Sequence, residues 1–272
     1  MSHEFLTLID RVREQSPLVH NMTNVVVTNF VANGLLALGA SPVMAYAKEE
    51  VADMVNIANS LVLNIGTLRE PEVEAMIIAG QAANEKGVPV VLDPVGAGAT
   101  PYRTNTVKRL LSEVNISLLR GNAAEVANVI GEEWQTRGVD SGTGEGNITD
   151  LARMAAQKLH MTVVVTGKDD VVSNGEESII ISNGHPLLTK VTGTGCLFSS
   201  VVGAFASVET NYLLAAAGAS AFYGAVAERA ILATGDQHVG TFQMEFLNQL
   251  MLTSSSDVVD LAKVSIAEVT SI

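Results

Sequence analysis

Residues 88–98 read Val-Pro-Val-Val-Leu-Asp-Pro-Val-Gly-Ala-Gly, a short apolar run that ends in a carboxylate and a glycine-containing loop. An apolar run without alternating polar residues is typical of a strand in a parallel sheet that helices cover on both faces. Asp93 then lies at the carboxyl end of the strand, the edge at which open α/β sheets bind ligands. This stretch predicts both the fold class and the edge that carries function.

Comparable apolar runs alternate with helical segments along much of the chain. Strands are predicted over 42–45, 61–65, 88–92, 116–119 and 162–166, and helices over 25–38, 49–59, 71–86, 102–114, 123–130, 149–159, 195–208, 212–234 and 242–252. The dipeptides Asn174-Gly175 and Asn183-Gly184 are typical of hairpins and predict antiparallel strands. The pattern predicts one α/β domain over residues 1–272, a three-layer α/β/α sandwich whose mostly parallel central sheet has antiparallel edge strands. The glycine-rich stretch 141–147 is expected to be a surface loop.

Composition excludes several function classes. The 272 residues include 16 Lys and Arg against 29 Asp and Glu, a net charge of −13 without clustered cations, which argues against nucleic acid as a partner. One cysteine excludes an internal disulfide and a multi-cysteine zinc site, and it fits a reducing compartment. Charged residues interrupt the N-terminal segment, and no stretch has the roughly 20 apolar residues of a membrane span. We therefore expect a cytoplasmic protein with no membrane partner.

The strongest local signal is Val191-Thr-Gly-Thr-Gly-Cys196 at the start of an apolar helix. The backbone amides of Gly193, Thr194, Gly195 and Cys196, with the positive end of the helix dipole, predict an anion hole suited to phosphate. The alternative is a glycine turn that leads into a buried helix. Phe198 stands where a dinucleotide fingerprint needs Gly or Ala, and the chain has no P-loop motif.

Cys196 admits two interpretations. At a helix N-terminus its thiol is expected to have a lowered pKa and to lie at or beside the reacting atoms. As a free cysteine it could equally be a small buried apolar residue.

Polar residues follow three neighbouring predicted strands and are expected to share one rim. Asp93, Arg120 and Glu125 together suit a magnesium nucleotide, because Mg²⁺ takes one or two carboxylates plus phosphate oxygens. Thr166 adds a hydroxyl at the same rim. Glu125 also stands three residues after Asn122, so a helix capping box is the structural alternative for its carboxylate.

Five motifs occur in order along the chain: His-Asn-Met-Thr-Asn (20–24), Ala-Ser-Pro-Val-Met-Ala (40–45), Asp-Pro-Val-Gly-Ala-Gly (93–98), Arg-Gly-Asn-Ala-Ala-Glu (120–125) and Val-Thr-Gly-Thr-Gly-Cys (191–196). From about residue 20 to residue 240, this combination resembles the hydroxyethylthiazole kinase family, a thiamine-salvage branch of the ribokinase-like superfamily. The resemblance implies a ribokinase-like fold without a lid domain. It also implies a homotrimer with active sites between subunits.

The resemblance further implies phosphoryl transfer from ATP, with Mg²⁺, to the hydroxyl of 5-(2-hydroxyethyl)-4-methylthiazole. The implied residues are Met44, Gly193 and Asn24 for the thiazole, Arg120 and Thr166 for ATP, Asp93 and Glu125 for Mg²⁺, and Cys196 for catalysis. Ribokinase has an aspartate base where this chain has Cys196, which is interpreted as a weak base or a spacer beside the substrate hydroxyl. Two alternatives within the superfamily share the nucleotide motifs: a hydroxymethylpyrimidine-type kinase and an ATP- or ADP-dependent repair dehydratase. A third alternative, of a different class, is a catalytically silent nucleotide-binding or oligomer-scaffold protein.

Overall fold

A computed structural model describes residues 3–132 and 148–267 of the chain. Nine strands lie in these ranges: β1 (Leu18–Met22), β2 (Ser41–Val43), β3 (Ser60–Asn64), β4 (Val90–Asp93), β5 (Leu118–Asn122), β6 (Thr162–Thr166), β7 (Asp170–Ser173), β8 (Ser178–Ile181) and β9 (Val264–Ile266). They form one sheet in the order β2-β1-β3-β4-β5-β6-β7-β8-β9. Strands β1 to β6 pair in parallel, and β7, β8 and β9 are antiparallel.

The α-helices of the described residues are α1 (Leu8–Gln15), α2 (Thr28–Leu38), α3 (Val51–Ile57), α4 (Glu70–Lys86), α5 (Pro101–Glu113), α6 (Ala123–Val129), α7 (Ile148–Leu159), α8 (Thr194–Ala206), α9 (Tyr212–Thr234), α10 (Val239–Leu252) and α11 (Ser255–Leu261). Short 3-10 turns lie at His3–Thr7 and Pro186–Lys190. None of the described helices combines the length and apolarity needed to cross a bilayer.

Two hydrophobic cores lie on opposite faces of the sheet. Val62 and Val91 of the central strands pack into one core with α2, α8, α9 and α10. Leu63 and Leu92 point to the other face and pack with α4, α5, α6 and α7. Since both faces are covered, the central strands carry apolar residues at successive positions. The predicted α/β/α architecture, with a mostly parallel sheet and antiparallel edge strands, is confirmed.

Several local predictions were wrong. The helix predicted over 25–38 begins only at Thr28, because residues 24–27 form a turn closed by the Val27 amide on the Asn24 carbonyl at 3.2 Å. Asn183-Gly184 does not form a hairpin, since β8 leads into the turn at 186–190 and pairs with β9 instead. Strands β1 and β9 and helices α1 and α11 were not predicted. The loop predicted over 141–147 lies outside the described residues.

Candidate active site

Asp93 is the last residue of β4 and lies at the carboxyl edge of the parallel strands. Its register partner on β3 is Asn64, and both side chains are buried. Asp93 Oδ2 accepts two hydrogen bonds, from Asn64 Nδ2 at 2.8 Å and from Ser199 Oγ at 2.8 Å. Because Ser199 belongs to α8, these bonds fix the strand end against the first turns of that helix.

The second oxygen of Asp93, Oδ1, is buried without a hydrogen-bond partner in the described residues. Burial raises the pKa of Asp93 from 3.8 to about 6, a rise that Arg120 opposes and Glu125 adds to. Arg120 Nη1 lies 3.9 Å from Asp93 Oδ2. Burying a carboxylate that keeps one oxygen unpaired among the described residues costs free energy even beside a cation, which indicates a functional group.

Arg120 and Thr166, both predicted to bind ATP, are in contact. Arg120 Nη2 donates to Thr166 Oγ1 at 2.9 Å. The guanidinium carbon lies 5.3 Å from the ring centroid of Phe198. The third nitrogen of the group, Nε, is buried without a partner in the described part of the chain. The arginine is thus held over an aromatic face beside the carboxylate.

The glycine turn begins α8 beside this arginine. Gly193 is the N-cap with φ +95°, and it has no side chain to satisfy the amides of the first turn. A Cβ at Gly195 would lie 3.1 Å from Arg120 Nη1, so the absence of a side chain lets backbone and guanidinium approach each other. The predicted anion hole and the acidic strand end therefore lie side by side.

Glu125 forms the capping box that was the structural alternative. Asn122 Oδ1 accepts from the Glu125 amide, and Glu125 Oε2 accepts from the Asn122 amide, both at 2.9 Å. Glu125 Oε1 accepts from the amide of Gly96 at 2.9 Å. An ionised carboxylate has about four acceptor positions, so these contacts leave room for a cation or its water shell.

Asn24, Met44 and Cys196 form a second group of predicted site residues, called the acceptor half below. Asn24 follows β1. Asn24 Nδ2 donates to Asn64 Oδ1 at 3.0 Å and lies 3.3 Å from Cys196 Sγ. Met44 follows β2, half-buried, and packs against the same core as Cys196. Its segment is fixed by a bond between His20 Nε2 and the carbonyl of Ala45 at 2.9 Å. Asn24 and Met44, two of the three predicted substrate residues, thus follow adjacent strands at the carboxyl edge of the sheet, and the third, Gly193, is the N-cap of α8.

The expectation of a lowered pKa for Cys196 was wrong. Burial and the negative charge of Asp93 raise the pKa of the thiol, although hydrogen bonds from Asn64 and Asn24 and the charge of Arg120 oppose the rise. Burial beside a carboxylate therefore outweighs the two hydrogen bonds and the cation that favour the thiolate. The thiol is therefore neutral at physiological pH.

Two residues at the centre of the site were not predicted. Asn64 links Asp93 to the acceptor half, because its side-chain NH2 donates to Asp93 and its side-chain oxygen accepts from Asn24. Ser199 joins Asp93 to α8. The signal for Asn64 was its place after the apolar run 61–63, which matches the place of Asp93 after its own run. No sequence pattern indicated Ser199, because a serine within an apolar helix does not by itself predict a functional residue.

Comparisons with known proteins identify the family of the chain. A family model described as the hydroxyethylthiazole kinase family matches residues 9–255. The chain belongs to the hydroxyethylthiazole kinase family. It is similar to the solved structure of a hydroxyethylthiazole kinase protein from Pyrococcus horikoshii OT3, with 40% identity and a TM-score of 0.90 over 98% of this chain and 100% of that one. A member of the hydroxyethylthiazole kinase family is a kinase, and neither comparison favours a hydroxymethylpyrimidine-type enzyme.

More distant structures share the fold of this hydroxyethylthiazole kinase family member. A ribokinase-like superfamily protein from Enterococcus faecalis V583 matches 94% of this chain and 96% of its own, with 12% identity and a TM-score of 0.63. The ADP complex of Bacillus subtilis pyridoxal kinase matches 78% of this chain and 92% of its own, with 16% identity and a TM-score of 0.56. These likenesses confirm the ribokinase-like fold.

Proposed function

We propose that this kinase transfers the γ-phosphoryl group of ATP to the primary hydroxyl of 5-(2-hydroxyethyl)-4-methylthiazole. One observation carries the proposal: Asp93 touches α8 through Ser199 and touches Asn24 through Asn64. A phosphate held by the amides of α8 and an alcohol held beside Asn24 would therefore meet next to one carboxylate.

Most of the stabilisation of the transition state is expected from the phosphate side. Phosphoryl transfer has a loose transition state, with charge spread over the oxygens of the transferred group. Arg120 and the first-turn amides of α8 supply positive charge and donors that need no reorganisation. Thr166 orients Arg120 through its hydroxyl. These residues form the proposed ATP site.

Asp93 and Glu125 fit a magnesium ion. Asp93 Oδ1 is a buried acceptor that has no partner among residues 3–132 and 148–267, and both Glu125 oxygens retain acceptor capacity after their backbone contacts. Oxygen donors of this kind are what Mg²⁺ prefers, with phosphate oxygens and water completing its shell. The ion neutralises charge on the polyphosphate when it is bound. Residues 3–132 and 148–267 contain no group of three or more His, Cys, Asp or Glu arranged to hold a metal ion.

On the acceptor side, Met44, Gly193 and Asn24 are proposed to contact the thiazole. A thioether packs well on a sulfur heterocycle, and the amide of Asn24 is fixed by Asn64. Cys196 would lie beside the hydroxyl. A general base typically adds about 10²- to 10⁴-fold, and a thiol with a raised pKa supplies little of it. We therefore assign Cys196 the role of a spacer that positions the hydroxyl.

The proposed assembly is a homotrimer of single-domain subunits in the cytoplasm. Val25 and Val26, directly after Asn24, are 62% and 72% exposed, and Leu36 on α2 is 61% exposed. Apolar side chains exposed next to a site support burial by another subunit.

The single sheet of the described residues supports one domain per subunit, and the lone thiol supports a reducing compartment such as the cytoplasm. Light scattering tests the trimer against the 28.5 kDa mass of one chain.

A direct kinase assay tests the proposed reaction. The purified protein is incubated with ATP and either the thiazole alcohol or hydroxymethylpyrimidine, with Mg²⁺ and with excess chelator. We expect a phosphorylated product only when the thiazole alcohol and Mg²⁺ are both present. Preferential phosphorylation of the pyrimidine, or ATP binding without transfer to either alcohol, would contradict the proposal.

A further inference from the structure

Arg103 lies in the first turn of α5, yet its guanidinium group contacts two other segments. Nη1 donates to the carbonyl of Ile65 at 2.6 Å and to that of Val95 at 2.7 Å, and Nη2 donates to the carbonyl of Gly66 at 2.9 Å. Ile65 and Gly66 follow β3, and Val95 follows β4. One side chain therefore ties together the loops that leave two neighbouring strands.

These loops hold the two halves of the site. The amide of Gly66 donates to Asn64 Oδ1 at 2.9 Å, which orients the side chain that contacts Asn24 and Asp93. The amide of Gly96, directly after Val95, donates to Glu125 Oε1 at 2.9 Å. The first loop thus orients the acceptor half, and the second orients Glu125, a carboxylate of the proposed Mg²⁺ site.

The chemistry of the contact requires arginine. Three carbonyl oxygens that converge from two loops match the fixed fork of a guanidinium, whereas an ammonium group is a point donor on a flexible stem. A cation in the first turn of a helix is opposed by the helix dipole, so α5 itself gains nothing from Arg103. Gly96 makes room for the side chain, because a Cβ there would lie 3.2 Å from Arg103 Cδ.

We propose that Arg103 is a positioning residue that sets the separation between the alcohol and the transferred phosphoryl group. It acts through Asn64 and Glu125 and touches no reacting atom. Its loss would leave each substrate able to bind alone but would misplace one relative to the other. Misplacements of about 1 Å can lower a rate about 10²-fold. The inference rests on the proposed kinase reaction, because that reaction is what its test measures.

The test compares Arg103→Met and Arg103→Lys with Arg109→Met. Arg109 lies on the same helix and is exposed, where it pairs with Glu70 and Glu113. Rates are expressed per nucleotide-binding site titrated by calorimetry with ADP, so that unfolded protein is not counted. We expect kcat to fall about 10- to 100-fold in Arg103→Met, and the Kd for ADP to change less than about threefold. Arg103→Lys should be intermediate, and Arg109→Met should match the wild type.

A second variant covers the case in which Arg103→Met does not fold. In Arg103→Ala, added methylguanidinium should restore kcat in a saturable manner, without effect on Arg109→Ala. Wild-type kcat per site in Arg103→Met, or equal loss of kcat and ADP binding, would overturn the inference. Failure of rescue in a folded Arg103→Ala would overturn it as well. If the wild-type protein itself does not phosphorylate the thiazole alcohol, the proposed reaction fails, not the role of Arg103.

Discussion

The buried carboxylate of Asp93 should lower the stability of the protein at neutral pH. Its pKa in the native state is about 6, against an ordinary value of 3.8. Between about pH 4 and pH 6 the native state binds more protons than the unfolded state, so the free energy of unfolding falls as the pH rises. A rise of the pKa from 3.8 to about 6 corresponds to a loss of about 3 kcal/mol in the free energy of unfolding, which is complete above about pH 6. Replacing the charge should recover part of this free energy.

Asp93→Asn is the variant that tests this reasoning. The side-chain oxygen of asparagine can replace Oδ2 and accept from Asn64 and Ser199. Its NH2 group replaces Oδ1, which has no partner in the described residues, and an unpaired buried donor costs about 1–3 kcal/mol. The expected net result at pH 8 is a gain of about 1 kcal/mol. Near pH 4 the difference should reverse to a loss of about 1–2 kcal/mol, because the neutral wild-type carboxyl no longer carries the cost of a buried charge while the variant keeps its unpaired donor.

Urea unfolding at pH 5 and pH 8, at equal protein concentration, measures this difference. Asp53→Asn, on the exposed surface of α3, is the control and should leave the pH dependence unchanged. Kinase activity of Asp93→Asn should fall at least about 10²-fold, because the charge that would hold Mg²⁺ is lost. The reasoning is refuted if Asp93→Asn is less stable than the wild type at pH 8, or if its stability difference is the same at both values.

Four further results are expected. Cys196→Asp should keep measurable kinase activity, since the side chain beside Asn24 is assigned a positioning role; a folded but inactive variant, together with a trapped phosphocysteine, would contradict this. Gly195→Ala should raise the KM for ATP about 10-fold, because its Cβ would lie 3.1 Å from Arg120 Nη1. Gly240→Ala should not, because the added Cβ would meet no other part of the described chain within 4 Å. In wild-type protein, kcat/KM should fall as the pH drops below about 6, and chelation of Mg²⁺ should abolish transfer at any pH.

The sequence predicted the architecture because the central strands are apolar at successive positions. Runs such as 90–92 and 162–165 must be covered on both faces, and only a layered α/β fold does this. Strand β1 escaped prediction because His20 and Asn21 interrupt its apolar pattern. Both are buried with partners from distant parts of the chain, since Asn21 Oδ1 accepts from Ser200 Oγ at 2.7 Å and His20 Nε2 contacts the carbonyl of Ala45 at 2.9 Å. Such pairing depends on tertiary contacts that the sequence does not display.

The rim of the site was predictable because parallel strands end at one edge. Asp93, Arg120 and Thr166 could be placed together from their positions after apolar runs alone. The contacts that organise them could not, because Ser199 and Arg103 come from helices whose packing on the strand ends is a tertiary property. Ser199 reaches Asp93 across 106 positions, and Arg103 reaches Gly66 across 37.

The pKa of Cys196 shows why position in a helix does not decide protonation. The expectation of an ionised thiol considered the helix N-terminus alone, whereas the raised pKa results from burial beside Asp93. Two neighbouring anions are costly in a buried site, so ionisation of the carboxylate keeps the thiol neutral. Asp93 is the stronger acid of the two and takes the negative charge. The site therefore provides a cation ligand and fixed donors rather than a strong base, which is what a loose phosphoryl-transfer transition state requires.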